Sequence, residues 1–171
     1  MPQVHSDDPT HLAAQLGELL QQRGLRLVTA ESCTGGWVAK YITDIAGSSV
    51  WFERGFVTYS NAAKQDMLGI DPALLAEHGA VSQAVVLAMV SGALAHSLAE
   101  IAIAISGIAG PDGGSASKPV GTVWIGWGLP DGNIISRHFC YDGNRDAVRY
   151  QAVTSALGEL LALLNHAPFT P

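Results

Sequence analysis

Apolar positions recur at helical spacing from His11 to Gln22, where Leu12, Ala13, Leu16, Leu19 and Leu20 fall on one side and Gly24 supplies a stop. The chain therefore opens on an amphipathic helix. Leu25 to Ala30 is short, partly β-branched and bounded by Gly24 and Glu31-Ser32, which predicts a first strand. Helical spacing resumes from Gly36 to Ile45, with Trp37, Val38, Tyr41 and Ile42 together. Val50 to Ser60 is rich in aromatic and β-branched residues and predicts a second strand, with Asn61 capping a short helix after it. Ser82 to Ala99 is the longest helical stretch up to that point, N-capped by Ser82 and mildly interrupted by Gly92.

The apolar run Ile101 to Ile105 predicts a buried strand. It ends in the loop Ser106 to Gly114, too glycine-rich for regular structure. Val120 to Gly128 and Ile134 to Tyr141 both suit strands, and Pro130-Asp131-Gly132-Asn133 supplies hairpin turn chemistry between them. A last helix spans Arg145 to Leu164. Helices and strands alternate through the first two-thirds, and a hairpin then precedes the closing helix. This order predicts an α/β fold, a three-layer α/β/α sandwich whose mostly parallel mixed sheet contains one antiparallel strand. The whole chain, 1–171, reads as one domain with its core in about 12–164. In such sheets ligands sit beyond the carboxyl ends of strands. Three polar clusters fall there: Glu31-Ser32, Tyr59-Ser60-Asn61 and Ser106 to Gly114.

Composition narrows the function. No apolar stretch is long enough to span a bilayer, and Met1 to Thr10 carries acidic residues where a leader has basic ones, so a soluble cytoplasmic protein with no membrane partner is expected. Acidic residues outnumber basic ones 15 to 9, without a Lys/Arg block, which argues against a nucleic-acid partner. Two cysteines, Cys33 and Cys140, make neither a disulfide framework nor a metal knuckle.

The candidate chemistry starts at Glu31-Ser32-Cys33-Thr34-Gly35-Gly36, where a strand turns into a helix and small residues let a ligand approach the backbone. Ser32 suits a nucleophile, and the amides of Thr34, Gly35 and Gly36 suit oxyanion donors. Ser32 and Thr34 equally suit helix capping. Serine needs a base. None of the six histidines sits at a strand end beside these clusters, whereas Lys64, one of three lysines, follows Tyr59-Ser60-Asn61 by one turn. A lysine acts as a base once burial lowers its pKa, and an exposed helix lysine is the plainer alternative. Tyr59 is placed to relay or orient a proton between Ser32 and Lys64, or to edge the core. Adjacent residues on an extended chain point oppositely, so Cys33 is expected to pack inward. The amides of Ser106, Gly107, Ala109, Gly110 and Gly113 form an anion nest suited to phosphate, or a purely structural loop. Arg145 and Arg149 open the last helix one turn apart, and a guanidinium there either grips a phosphate or belongs to a solvated pair.

Taken in order, the segments Thr29 to Gly36, Gly55 to Asn61, Gly79 to Ser82, Ser106 to Gly114 and Lys118 to Val123 closely resemble the CinA carboxy-terminal family, in particular its stand-alone nicotinamide-nucleotide amidases. The resemblance runs from about Leu12 to Leu164. It implies a bacterial enzyme of pyridine-nucleotide salvage that deamidates nicotinamide mononucleotide on an α/β/α domain, as a homodimer and without metal or organic cofactor. The catalytic serine and lysine of the family match Ser32 and Lys64, with Tyr59 nearby, and its glycine-rich loop matches Ser106 to Gly114. Many CinA proteins carry a larger amino-terminal domain similar to molybdopterin-binding folds, and this chain corresponds to the amidase part alone.

Overall fold

A computed structural model describes residues 8–166; the residues before and after these, which enter the reading of the two ends, lie outside it. Helix α1 (Pro9–Arg23) ends at Gly24, whose left-handed backbone (φ 65) returns its amide to the carbonyls of Leu20 and Gln21. Strand β1 (Leu27–Glu31) is buried throughout. Helix α2 (Trp37–Thr43) and a 3₁₀ turn at Ser48–Val50 lead to β2 (Phe52–Val57). Helices α3 (Asn61–Leu68), α4 (Pro72–His78) and α5 (Gln83–Ala95) precede β3 (Ile101–Gly107). Strands β4 (Thr122–Gly128) and β5 (Ile134–Cys140) and helix α6 (Arg145–His166) complete the chain.

The sheet order is β2-β1-β3-β4-β5, with β1 parallel to β2 and β3, and β4 antiparallel to both of its neighbours. The mixed sheet with one reversed strand is therefore as expected. Two corrections concern its margins. Ser60, not Asn61, caps α3, accepting the Ala63 amide at 3.0 Å. Helix α4 had no counterpart in the hydrophobic pattern, because its seven residues bury Leu75 alone.

Side-chain alternation splits the core in two. Leu27 of β1, Ile101, Ile103 and Ile105 of β3 and Val123, Ile125 and Trp127 of β4 pack under α1, α2 and α6. Val28, Ala30, Ala102 and Ala104 pack under α3, α4 and α5. Small residues on the second face bring α5 close: a Cβ on Gly126 would lie 2.8 Å from Val90 Cγ2. Gly92, expected only to weaken α5, marks a crossing with α3, since a Cβ there would lie 2.2 Å from the Leu68 carbonyl oxygen. On the first face Trp127 Nε1 donates to the Ala156 carbonyl at 2.9 Å, tying α6 to the sheet. Register sets Glu31 beside Val57 and Ile105, so the ends of β1, β2 and β3 open on one rim.

Candidate active site

The rim begins with Ser32. Its amide donates to the Ile105 carbonyl at 3.0 Å, extending the ladder by one step before the chain turns. The preceding Glu31 is buried, and its carboxylate accepts the amides of Gly36 (3.1 Å), Val38 (3.1 Å) and Ala39 (2.9 Å). A negative charge thus satisfies the first turn of α2, where unpaired amides and the helix dipole favour it. From β2, Thr58 donates its amide to the Glu31 carbonyl at 2.8 Å, which brings the following residues beside Ser32.

Helix α3 then turns Lys64 inward. Lys64 is 1% exposed and Ser32 8%. The Lys64 ammonium nitrogen Nζ lies 3.0 Å from Ser32 Oγ and donates to the Thr58 carbonyl at 2.8 Å. Among the described residues no carboxylate lies within ion-pair distance of it. Burial therefore holds the Lys64 amine below its ordinary 10.5. The Cys33 thiol points into the core, and burial pushes it up to about 12, which keeps it protonated and unreactive.

A cleft of about 280 Å³ opens over this pair. Tyr59, Asn61, Arg145, Ala80 and Val81 line it together with the segment from Ser106 to Gly113, of which Ser106 and Gly107, expected in the loop, are the last residues of β3 because they pair with Trp124 and Val123 of β4. Ser106 Oγ donates to the Ala80 carbonyl at 2.8 Å, and Lys118 Nζ to that of His78 at 3.0 Å, so the segment before α5 is held at two points. Two bonds of 2.8 Å, Ile108 N to the Thr122 carbonyl and Gly121 N to the Ile108 carbonyl, pinch the neck of the loop. Within it the amides of Ala109, Gly110 and Gly113 have no acceptor among the described residues. Gly110 and Gly113 hold positive φ (83 and 91), a backbone that glycine adopts without strain. Arg145 reaches in from α6, donating to the Gly110 carbonyl and to the Tyr59 hydroxyl, both at 2.7 Å.

Comparison with known proteins fixes the lineage. The family model described as the CinA C-terminal domain matches residues 9–164. The chain belongs to the CinA C-terminal domain family. Among CinA C-terminal proteins it is 60% identical to the nicotinamide-nucleotide amidohydrolase PncC of Escherichia coli K12, over 87% of this chain and 90% of that one. The Pseudomonas putida protein of the same name is 55% identical over 92% and 98%. The crystal structure of the competence/damage inducible protein CihA from Agrobacterium tumefaciens superposes with a TM-score of 0.89 at 46% identity, covering 93% of this chain and 96% of that chain.

Against this CinA fold, the sequence-derived site divides. Ser32, Lys64, Tyr59, Ser106, Gly107, Ala109, Gly110, Gly113 and Arg145 all line one cleft. Three assignments change. Tyr59 is 58% exposed and its hydroxyl is held by Arg145, so it does not bridge Ser32 and Lys64. The Gly35 amide returns to the Ser32 carbonyl at 3.0 Å and the Gly36 amide to Glu31, so neither is free for an oxyanion. The amides of Cys33 and Thr34 have no acceptor among the described residues, so Thr34, buried and outside the cleft lining, stays a candidate and Cys33, which lines the cleft, joins it. Arg149 is no solvated partner of Arg145: it turns under the Ser32 turn and donates to the carbonyls of Cys33 and Thr34. Glu31, the Thr58 carbonyl and the Ala80-Val81 lining went unread. The Gly79 to Ser82 segment signalled the last without giving it a role, and a backbone carbonyl leaves no side-chain signal.

Proposed function

We propose that this chain hydrolyses the carboxamide of nicotinamide mononucleotide to nicotinate mononucleotide and ammonia, with Ser32 as nucleophile and Lys64 as its base. The observation that carries the reading is a buried lysine amine with no carboxylate partner among the described residues, 3.0 Å from a serine hydroxyl that lines a cleft. The substrate is taken from the relatives named nicotinamide-nucleotide amidohydrolase.

In this mechanism the nucleotide's phosphate lies against the free amides of Ala109, Gly110 and Gly113 with the Arg145 guanidinium beside it, which carries the carboxamide toward Ser32. Neutral Lys64 takes the Ser32 proton as Oγ attacks the carbonyl carbon. The oxyanion is met by the amides of Cys33 and Thr34. As the tetrahedral intermediate collapses, the C–N bond breaks and Lys64 returns the proton to departing ammonia. Water, deprotonated by the same amine, then attacks the acyl-serine, and Ser32 leaves with its proton restored. The pyridinium ring withdraws electrons from the carbonyl and eases both attacks. The product acid belongs to salvage of pyridine nucleotides.

The test is ammonia release from nicotinamide mononucleotide by the purified chain, beside Ser32→Ala and Lys64→Ala, with and without a chelator. Turnover that survives the chelator and is lost in both variants is the expected result. Nucleotide binding without ammonia release overturns the reading in favour of a binding module.

A further inference from the structure

Arg149 is a cation that the chemistry above leaves unused. It lies one turn beyond Arg145 on α6, yet it does not line the cleft. Its Nε donates to the Cys33 carbonyl at 3.1 Å and its Nη2 to the Thr34 carbonyl at 3.2 Å. The guanidinium lies over the Trp37 ring, with Cζ 4.3 Å from the centroid, and Nη1 is 4.0 Å from the exposed Asp146 carboxylate. Gly35 gives the turn its left-handed backbone (φ 58), and the guanidinium packs beside it, since a Cβ there would meet Nη2 at an ordinary contact distance of 3.4 Å. One planar fork therefore spans two successive carbonyls of the turn that carries Ser32, a geometry an ammonium cannot reproduce.

A trans peptide is planar, so the direction of a carbonyl dictates that of the N–H across the same bond. Only Gly110-Pro111 is cis among the described bonds, and those flanking Thr34 are trans. Holding the Cys33 carbonyl against Arg149 turns the Thr34 amide to the opposite side. Holding the Thr34 carbonyl likewise fixes the Gly35 amide, which closes the turn on the Ser32 carbonyl. Carbonyls that accept charge-assisted bonds also make their own peptide N–H groups stronger donors.

Resting on the amidase reading, we propose that Arg149 is a positioning residue: it locks the peptide units after Ser32, and with them the nucleophile and the amide donors, in the geometry of attack. It touches neither substrate nor reacting atoms, so its removal lowers kcat and leaves substrate affinity in place.

Steady-state ammonia release from nicotinamide mononucleotide by wild type, Arg149→Lys and Arg149→Ala tests this, with melting curves for each and ethylguanidinium added to the alanine variant. The expected result is a kcat lowered by about 100-fold in Arg149→Ala with KM within about twofold of wild type, the magnitude a misplaced reacting group produces. Ethylguanidinium restores part of the rate, and Arg149→Lys lies between the two. If the alanine chain fails to fold, the lysine variant decides: a lower kcat at unchanged KM supports the assignment. An unchanged kcat, or a loss confined to KM, overturns it. So does a loss that follows the melting temperature and yields to neither lysine nor ethylguanidinium. Wild type that releases no ammonia overturns the amidase reading and this proposal with it, whereas an active wild type with unaffected variants overturns the Arg149 assignment alone.

Discussion

Lys64 Nζ sits 3.0 Å from Ser32 Oγ, and the carbonyl of Thr58 takes another of its contacts at 2.8 Å. The amine is thereby oriented by a neutral dipole, and among the described residues no carboxylate pairs with it to hold it charged. An amine so placed serves a hydroxyl as base only when deprotonated, and burial drives it in that direction.

Loss of either group should abolish turnover. Ser32→Ala and Lys64→Met are expected to lower kcat by at least about 10³-fold, the scale on which members of a nucleophile and base pair act as a unit. Calorimetric titration with nicotinamide mononucleotide should still show binding by Ser32→Ala, because the contacts proposed for the phosphate, the loop amides and Arg145, do not involve the Ser32 hydroxyl. A variant that keeps its rate removes that residue from the chemistry.

The pH dependence has a definite sign. Lys64 is depressed below 10.5 in the folded chain, so between its folded and unfolded values the unfolded chain binds a proton that the folded one does not. Stability therefore rises with pH across that window, and kcat rises as pH passes the folded value, since the neutral amine is the reactive form. Urea melts across the alkaline range should show that slope in wild type and lose it in Lys64→Met. A rate that falls as pH rises through this range contradicts a lysine base.

Tyr59 and Arg145 should separate in their effects. Tyr59→Phe removes a hydroxyl held by Arg145 and leaves the Ser32–Lys64 contact intact, so kcat should change by less than about tenfold. Arg145→Ala removes the cation beside the loop amides and should raise KM for nicotinamide mononucleotide by about 10- to 100-fold, with little change for unphosphorylated nicotinamide riboside. Equal losses on both substrates would take the phosphate away from this end of the cleft.

Glu31 should be costly to replace. Its carboxylate answers three amides at the start of α2, and Glu31→Ala leaves them buried without an acceptor, a loss of about 2 to 4 kcal/mol. Glu31→Gln keeps one acceptor oxygen and should recover part of it. Thermal melts of the two variants rank the effect.

The mixed sheet with one reversed strand and the strand ends could be read from sequence because periodicity and turn residues report local structure, whereas the strand order β2-β1-β3-β4-β5 came from the structure. Ser32, Lys64, Arg145 and the glycine loop, singled out by that reading, line one cleft. What stayed hidden depends on distance in the chain. Arg149 reaches the Ser32 turn across the whole fold, and its spacing from Arg145 is that of an ordinary surface pair. Tyr59 follows β2 as expected, but which neighbour takes its hydroxyl is decided by α6. The amides of Gly35 and Gly36 looked free because a helix start leaves amides unpaired, and only the structure shows Glu31 doubling back to take one of them. Helix α4 escaped because a short helix that buries a single leucine has no period to detect.

The reversal of β4 bears on how this cleft can change. A parallel successor to β3 would have needed a crossover to bring the chain back to the opposite end of the sheet. Here the chain returns at once, and the loop between the two strands is a closed appendage, pinched at Ile108, Gly121 and Thr122. Its side-chain ties to the rest of the fold run through Lys118 to His78 and through Arg145 to Gly110, and involve neither the strand that leads to Ser32 nor the helix that holds Lys64. Loops of other sizes can be exchanged at that neck without disturbing the reacting pair, which makes this segment a natural place for the fold to acquire a different substrate.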